Sequence, residues 1–320
     1  MPEPWTRDEM QHALLIREKL LAIPNEVLKQ DVIILDCPLD LVYLDRINKP
    51  SVYYNHRSAR PDTFMHDIII THLEDPLRAF AAEKDRQWKL DKLKELYSKP
   101  DVILTNSRFT QSMLKRYFGV DSHVVYPPVN LRKFRLCANP TRDFFLSIQR
   151  IHWQKRLEVQ IEAFESIKGK LVIVGGGETE RSRKSEILEY VVEDMSNVDY
   201  LGRVEDEKLV RLLQNAKATI QTGYCEDFGL VPVESMACGT PCIVVDEGGF
   251  RETIHSPELG VRIKPPYAES LRRAVENFEQ SRYDPKTLRE EAEKYGLKRF
   301  RKEMLKYIQL AVEVYNGVEC

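Results

Sequence analysis

The sequence predicts an α/β protein made of two doubly wound domains with parallel sheets. Three observations predict it. Short β-branched runs alternate with amphipathic helical stretches through most of the 320 residues. The runs are continuously apolar, as in strands buried on both faces. The alternation also falls into two blocks, joined by the proline-containing segment YPPVNLRKF at 126–134.

In the first block, DVIILDC (31–37), SVYYN (51–55), DIIIT (67–71), DVILTN (101–106) and HVVYP (123–127) read as strands. Residues 8–22, 75–98 and 108–118 carry the helical period. In the second block, FFLSI (144–148), KLVIVG (170–175), VDYLG (198–202), ATIQTG (218–223) and PCIVVD (241–246) read as strands. Helices are expected at 155–168, 178–195, 206–216 and 231–238. From Pro285 to Val314 the pattern is a charged amphipathic helix with no strand after it. The expected domains are 1–137, 138–299, and a C-terminal helix at 300–320 packing back toward the first.

Composition narrows the function classes. A net charge of −2 supplies no global field toward nucleic acid or anionic lipid. The six cysteines are irregularly spaced, as in a reduced, cytoplasmic chain. Cys238 and Cys242 have no Cys/His pair near them at zinc spacing, so they read as core thiols, and no metal site is expected. No apolar run reaches membrane-spanning length, and the start MPEPWTRDEM carries acids where a signal peptide carries bases. Helix 78–98 carries Arg78, Lys84, Arg86, Lys89, Lys92 and Lys94. This allows peripheral contact with anionic lipid, but Asp85, Asp91 and Glu95 break the stripe into an ordinary solvated face.

The chemistry concentrates in EDFGLVPVESMACGTP, residues 226–241. It begins in a loop that follows a strand and leads into a helix, the place where parallel sheets bind ligands. Gly229 lets a ligand approach the backbone, Pro232 suits the first helical turn, and Gly239 with Pro241 ends the helix. Unpaired N–H groups at Leu230–Val231 offer a seat for phosphate oxygens. Glu226 and Glu234 flank that seat. Two carboxylates around an anion site suit a ligand whose diphosphate carries hydroxyl-rich groups on both sides, as a nucleoside diphosphate sugar does. The plainer reading, a helix-dipole glutamate and a surface glutamate, would hold for an isolated pair.

The pair is not isolated, because the segment resembles the E-x7-E signature of the retaining glycosyltransferases of family four. That family has the GT-B fold, with two Rossmann-like domains facing a central cleft. The match continues through Glu252 and runs back to about Phe144. In LSIQRIHWQKRLEVQIEAF, Arg150 and Lys155 match the basic pair that the family places on the diphosphate. Both would neutralise the leaving group. VIVGGG (172–177) and NVDYLGRV (197–204) match regions that border the nucleotide, which adds Gly175, Gly176 and Val204 to Phe228, Gly229, Leu230 and Glu234 as donor-binding candidates.

Residues 100–134 resemble the end of the acceptor domain. VYYNHRSARPDTFMHD (52–67) resembles a tract of the mannosyltransferase-like branch, which makes His56 a candidate beside the reacting carbon, with Arg57 and Arg60 behind it. The resemblance implies a metal-independent retaining hexosyltransferase without a separate cofactor. Its donor would be a nucleoside diphosphate sugar, GDP-mannose first, and its acceptor a glycan or lipid-linked glycan. Three alternatives stay open: a UDP- or ADP-sugar enzyme, a phosphorylase or epimerase of the same fold, and a nucleotide-sugar-binding subunit of reduced activity. One departure bears on the last. No glycine precedes Gly119, so the family's opening strand and glycine-rich loop are expected to be missing or replaced.

Overall fold

The structure is a computed structural model that describes residues 31–36, 41, 44–45, 47–56, 76–176 and 183–317. The chain divides into two compact units, Met1–Tyr126 with Arg301–Cys320, and Pro127–Phe300. The helix expected at 8–22 and the strand expected at 67–71 lie outside the described residues.

In the first unit, β1 (Ile33–Leu35), β2 (Ser51–Asn55), β3 (Val102–Thr105) and β4 (His123–Val124) form a parallel sheet in that order. Helix α1 (Pro76–Tyr97) and helix α2 (Arg108–Phe118) accompany it. The bounds of α2 have local causes. Ser107 caps its start by accepting from the Thr110 N–H at 2.9 Å, and Gly119 ends it in the left-handed region at φ 71°. The core is aromatic: Tyr53 stacks on Tyr97 at 5.7 Å, and Tyr97 meets Phe118 edge-on at 5.0 Å. Ser51 donates from both N and Oγ to Asp101 Oδ2 at 2.7 Å, which pins the starts of β2 and β3 together.

The second unit is a six-stranded parallel sheet. Its strands are β5 (Phe144–Ile148), β6 (Lys170–Val174), β7 (Val198–Tyr200), β8 (Ala216–Gln221), β9 (Cys242–Val245) and β10 (Gly260–Ile263). Between them run α3 (Leu157–Phe164), α4 (Arg183–Val192), α5 (Asp206–Asn215), α6 (Leu230–Ala237) and the short α7 (Phe250–Thr253), and α8 (Ala268–Glu276) follows β10. The order β10-β9-β8-β5-β6-β7 places β5 beside β8. From β5 the chain winds outward one way through β6 and β7, and from β8 the other way through β9 and β10. The crevice between the carboxyl ends of β5 and β8 is therefore the switch point of the sheet.

Several expected elements differ in detail. The helix expected at 155–168 begins as a 3-10 turn, Trp153–Lys155, and continues as α3 after Arg156. Strand β10 and helix α8 add to the expected elements, and α8 buries Ala268, Leu271 and Val275 at helical spacing. The C-terminal pattern is two helices, α9 (Pro285–Glu293) and α10 (Leu297–Tyr315), rather than one. The break falls at Gly296, an ordinary helix-stop residue, and a long-range contact meets it there: the Val129 N–H donates to Tyr295 O at 2.8 Å, and Val129 bridges Gly296. Arg289 of α9 donates to the carbonyls of Phe134, Ala237 and Leu131, which ties α9 to the entry segment and to the end of α6. Cys238 and Cys242 are fully buried, and burial pushes their thiols up to about 12 and about 11. Both are core groups with no thiolate at neutral pH.

Candidate active site

The loop after β5 and the loop after β8 meet at the switch point. Lys155, at the end of the 3-10 turn, places Nζ 2.6 Å from Oε2 of Glu226. Both side chains are largely covered, at 19% and 29% exposure, so the pair forms in a reduced dielectric. Hydrogen bonds hold the loops in place: Tyr224 N–H donates to Gln154 O at 2.6 Å, and the Thr222 hydroxyl Oγ1 sits 2.9 Å and 3.0 Å from the carbonyls of Lys155 and Arg156. Gln160 of α3 donates to the same hydroxyl at 2.8 Å.

A third loop, after β9, closes the arrangement. Gly249 N–H donates to Glu226 O at 2.6 Å. Glu247 accepts from Arg156 Nη1 at 3.0 Å and from the Cys225 N–H at 3.2 Å. The Arg156 guanidinium also lies over the Tyr224 ring, 4.9 Å from its centroid. Arg156 and Glu247 carry no motif, and sequence reasoning missed both. The signals available were a third basic residue in QKR and an acid just before the glycine pair in DEGG.

Helix α6 starts at the rim of the same crevice. Its N-cap is Gly229, at φ 89°, and no side chain caps the first turn. The N–H groups of that turn are thus available to an anion. Leu230 is exposed there, whereas the Phe228 side chain is buried against Tyr295, so only the Phe228 backbone can face a ligand. Glu234 lies one turn inside. Burial pushes its carboxyl up to about 7, with Lys133 pulling the other way and Asp206 adding to the rise. Lys133 and Asp206 are themselves paired at 2.7 Å.

The remaining candidates are more dispersed. Arg150 is exposed at the carboxyl end of β5 and makes no ion pair among the described residues. Gly175 donates to Gly202 O at 2.8 Å and accepts from Tyr200 OH at 3.0 Å, while Gly176 O accepts from Ile151 N–H at 3.1 Å. Val204 is half-buried between β7 and α5. These residues line the carboxyl ends of β6 and β7. His56 belongs to the first unit. It follows β2, its carbonyl accepts from Asn106 Nδ2 at 3.0 Å, and its ring lies tilted against Tyr54. Arg57 and Arg60 lie outside the described residues. Among the described residues, no group of three or more His, Cys, Asp or Glu is placed to hold a metal ion, and no helix is long and apolar enough to cross a membrane.

Residues 131–299 match the family model of glycosyl transferases group 1. The human alpha-1,3/1,6-mannosyltransferase ALG2 is 29% identical over 207 residues, covering 56% of this chain and 50% of the relative. Its Dictyostelium discoideum counterpart is 31% identical, covering 52% and 49%. This chain thus spans about half the length of those two relatives. Among solved structures, sucrose-phosphate synthase from Thermosynechococcus elongatus superposes with a TM-score of 0.71 at 20% identity, over 91% of this chain and 81% of the other. Anabaena HepE in complex with UDP-glucose gives 0.73 at 16% identity, over 89% and 80%. Likenesses at such identities speak for the fold, and they bear out the α/β, GT-B class expected from the sequence.

Proposed function

The chain belongs to the glycosyl transferases group 1 family, and from that premise we propose that it moves a hexose from a nucleoside diphosphate sugar to an acceptor hydroxyl with retention of configuration. The observation that carries this reading is the meeting of Lys155 and Glu226 at 2.6 Å beside the open N-terminus of α6. One crevice thus offers a cation and helix amides for a diphosphate, and a carboxylate for sugar hydroxyls.

The reaction in this reading is the one that the family resemblance implies. The bond between the anomeric carbon and the diphosphate oxygen breaks, and the acceptor hydroxyl attacks on the face that the diphosphate leaves. Its proton passes to the departing phosphate oxygen. Lys155, Arg150 and the first-turn amides of α6 take up the charge developing on the leaving group. Glu226 accepts hydrogen bonds from the transferred sugar, and Glu234 accepts them from the ribose. Gly175, Gly176 and Val204 would border the nucleotide. For His56 the role is the one the family resemblance implies, near the reacting carbon.

GDP-mannose is the favoured donor. Support comes from curated relatives named as mannosyltransferases, including a Dictyostelium discoideum protein whose name specifies GDP-Man and a lipid-linked glycan acceptor, 26% identical over 239 residues. A glycan or lipid-linked glycan is the acceptor class in this reading, and the cytoplasm the compartment. A UDP-hexose is the second reading, favoured by the likeness to HepE with its bound UDP-glucose. Titration with GDP-, UDP- and ADP-sugars, followed by product analysis, tests both. GDP-mannose should bind tightest and yield a glycoside with the donor's anomeric configuration. Binding of none of these donors, or a product of inverted configuration, would defeat the proposal.

A further inference from the structure

We infer that Arg156 and Glu247 form a positioning strut that sets the geometry of Lys155 and Glu226 for transfer. This rests on the proposed function for its catalytic consequence, but its structural basis is independent of which sugar is moved.

The two ion pairs are coupled through the backbone. Arg156 directly follows Lys155. Glu247 accepts both the Arg156 guanidinium at 3.0 Å and the N–H of Cys225, the residue directly before Glu226, at 3.2 Å. Each end of the second pair is therefore one residue from the first. A shift of the Glu247 carboxylate moves Arg156 on one side and Cys225 on the other, and so alters the 2.6 Å approach of Lys155 to Glu226.

The local backbone points the same way. Arg156 stands at φ 49° and Cys225 at φ 45°, in the left-handed region that favours glycine. A long side chain at such a position incurs a steric cost that must be offset by the contacts it makes. Here those contacts are specific: the ion pair with Glu247, at 20% and 21% exposure, and the stack over Tyr224. Tyr224 in turn donates its N–H to Gln154 O, so the guanidinium closes a ring of contacts through the loops after β5, β8 and β9. Glu247 also neutralises Arg156. Lys155 is paired as well, with Glu226 at 2.6 Å, but it is the cation that the family resemblance sets on the diphosphate, and Arg156 acts through its neighbours rather than on the donor.

Five variants test the strut: Arg156→Gly, which suits the left-handed turn, Glu247→Gln, Glu247→Ala, the combination of Arg156→Gly with Glu247→Ala, and the exchange Arg156→Glu with Glu247→Arg. Donor turnover, donor KM, GDP affinity and amide exchange over 222–228 are measured for each. Misplacing a reacting group by about 1 Å costs about 100-fold in rate. Arg156→Gly and Glu247→Ala should therefore lower kcat by about that factor. GDP affinity should hold within about threefold, because no donor contact is removed. Amide exchange at 222–228 should accelerate in both. Glu247→Gln should fall between wild type and Glu247→Ala, since it keeps one hydrogen bond. Combining Arg156→Gly with Glu247→Ala should cost little more than either alone, and the charge exchange should recover part of the lost turnover.

Unchanged kcat in both single variants would overturn the strut. So would multiplying effects in the double variant, or a loss of GDP affinity as large as the loss of kcat. If the wild-type protein transfers no GDP-, UDP- or ADP-hexose, the failure belongs to the proposed function. The strut is then judged on amide exchange alone, and unchanged exchange in both variants overturns it.

Discussion

The ammonium of Lys155 lies 2.6 Å from Oε2 of Glu226, across 71 residues of sequence, so the cation assigned to the diphosphate and the carboxylate assigned to the sugar are partners. A phosphate oxygen arriving at Lys155 has to share or displace that carboxylate. The two residues should therefore respond in opposite directions when GDP alone is bound.

Glu226→Ala removes the competitor. GDP should bind as well as to wild type or a few-fold tighter, while transfer falls steeply because the sugar contacts strengthen in the transition state. Lys155→Ala removes a charged hydrogen bond to the diphosphate, worth about 1.5–3 kcal/mol, and also leaves the partly buried Glu226 without its cation. Titrating GDP against each variant decides the matter. Equal loss of GDP affinity in the two would mean that both touch the nucleotide, and the division of roles would fail.

Glu234 gives a pH signature. Its carboxyl, pushed up to about 7 by burial, must be ionised to accept from ribose hydroxyls. GDP affinity should rise with pH up to about 7, by at most about tenfold per unit, and then level off. Binding near pH 7 should release protons, seen as a buffer-dependent calorimetric enthalpy. Phosphate titrates close by, near about 6, so the decisive quantity is the difference between wild type and Glu234→Gln. In the free protein, the raised pKa contributes stability that is full below the ordinary value of 4.5 and is lost as pH rises through about 7. Thermal unfolding should show this loss in wild type and not in Glu234→Gln. Parallel profiles in the two proteins would remove Glu234 from the ribose.

Much of the fold is legible because its signals are local. FFLSI is an apolar run interrupted only by the buried Ser147 and is β5 from end to end, Ser107 and Gly119 bracket α2, and Glu205–Asp206 open α5. Strand β10 was not legible. GVRI is four residues long at the sheet edge, with Arg262 facing solvent, so it shows no run and no clear alternation. The break between α9 and α10 falls at Gly296, an ordinary helix-stop residue that the continuous charged pattern masked, and Val129, far away in sequence, bonds there. The same holds in the crevice. Spacing could nominate Glu226, Glu234 and Lys155, but Arg156 and Glu247 pair across 91 residues, and only the strand order β9-β8-β5 brings their loops together.

Chelation should leave transfer intact. Lys155, Arg150 and the α6 amides are assigned the work that a divalent cation does in metal-dependent transferases. Turnover in excess EDTA should equal turnover with Mg²⁺ or Mn²⁺ added. Loss of activity in EDTA that is restored by adding metal would show that these protein cations are insufficient, and the leaving-group assignment would have to be abandoned.

Two glycine substitutions separate steric transmission into the crevice from plain backbone strain. Gly249 has an ordinary φ of −67°, so alanine there carries no conformational penalty. Its Cβ, however, would stand 2.5 Å from Phe228 Cα and 2.6 Å from Asp227 O. Those are backbone atoms between Glu226 and the start of α6, and they cannot turn aside as a side chain can. Gly249→Ala should therefore push the loop that carries Glu226 and the first-turn amides, so that GDP affinity and transfer fall together. Gly119 is the opposite case. A Cβ there meets nothing within 4 Å, but φ is 71°, so alanine carries only the left-handed penalty of about 1–2 kcal/mol. Gly119→Ala should lower the unfolding temperature by a few degrees and leave GDP affinity unchanged. If Gly249→Ala lowered stability but bound GDP and turned over as wild type, the loop after β9 would be scaffolding alone. Glu226 would then be positioned from the β5 side by Lys155.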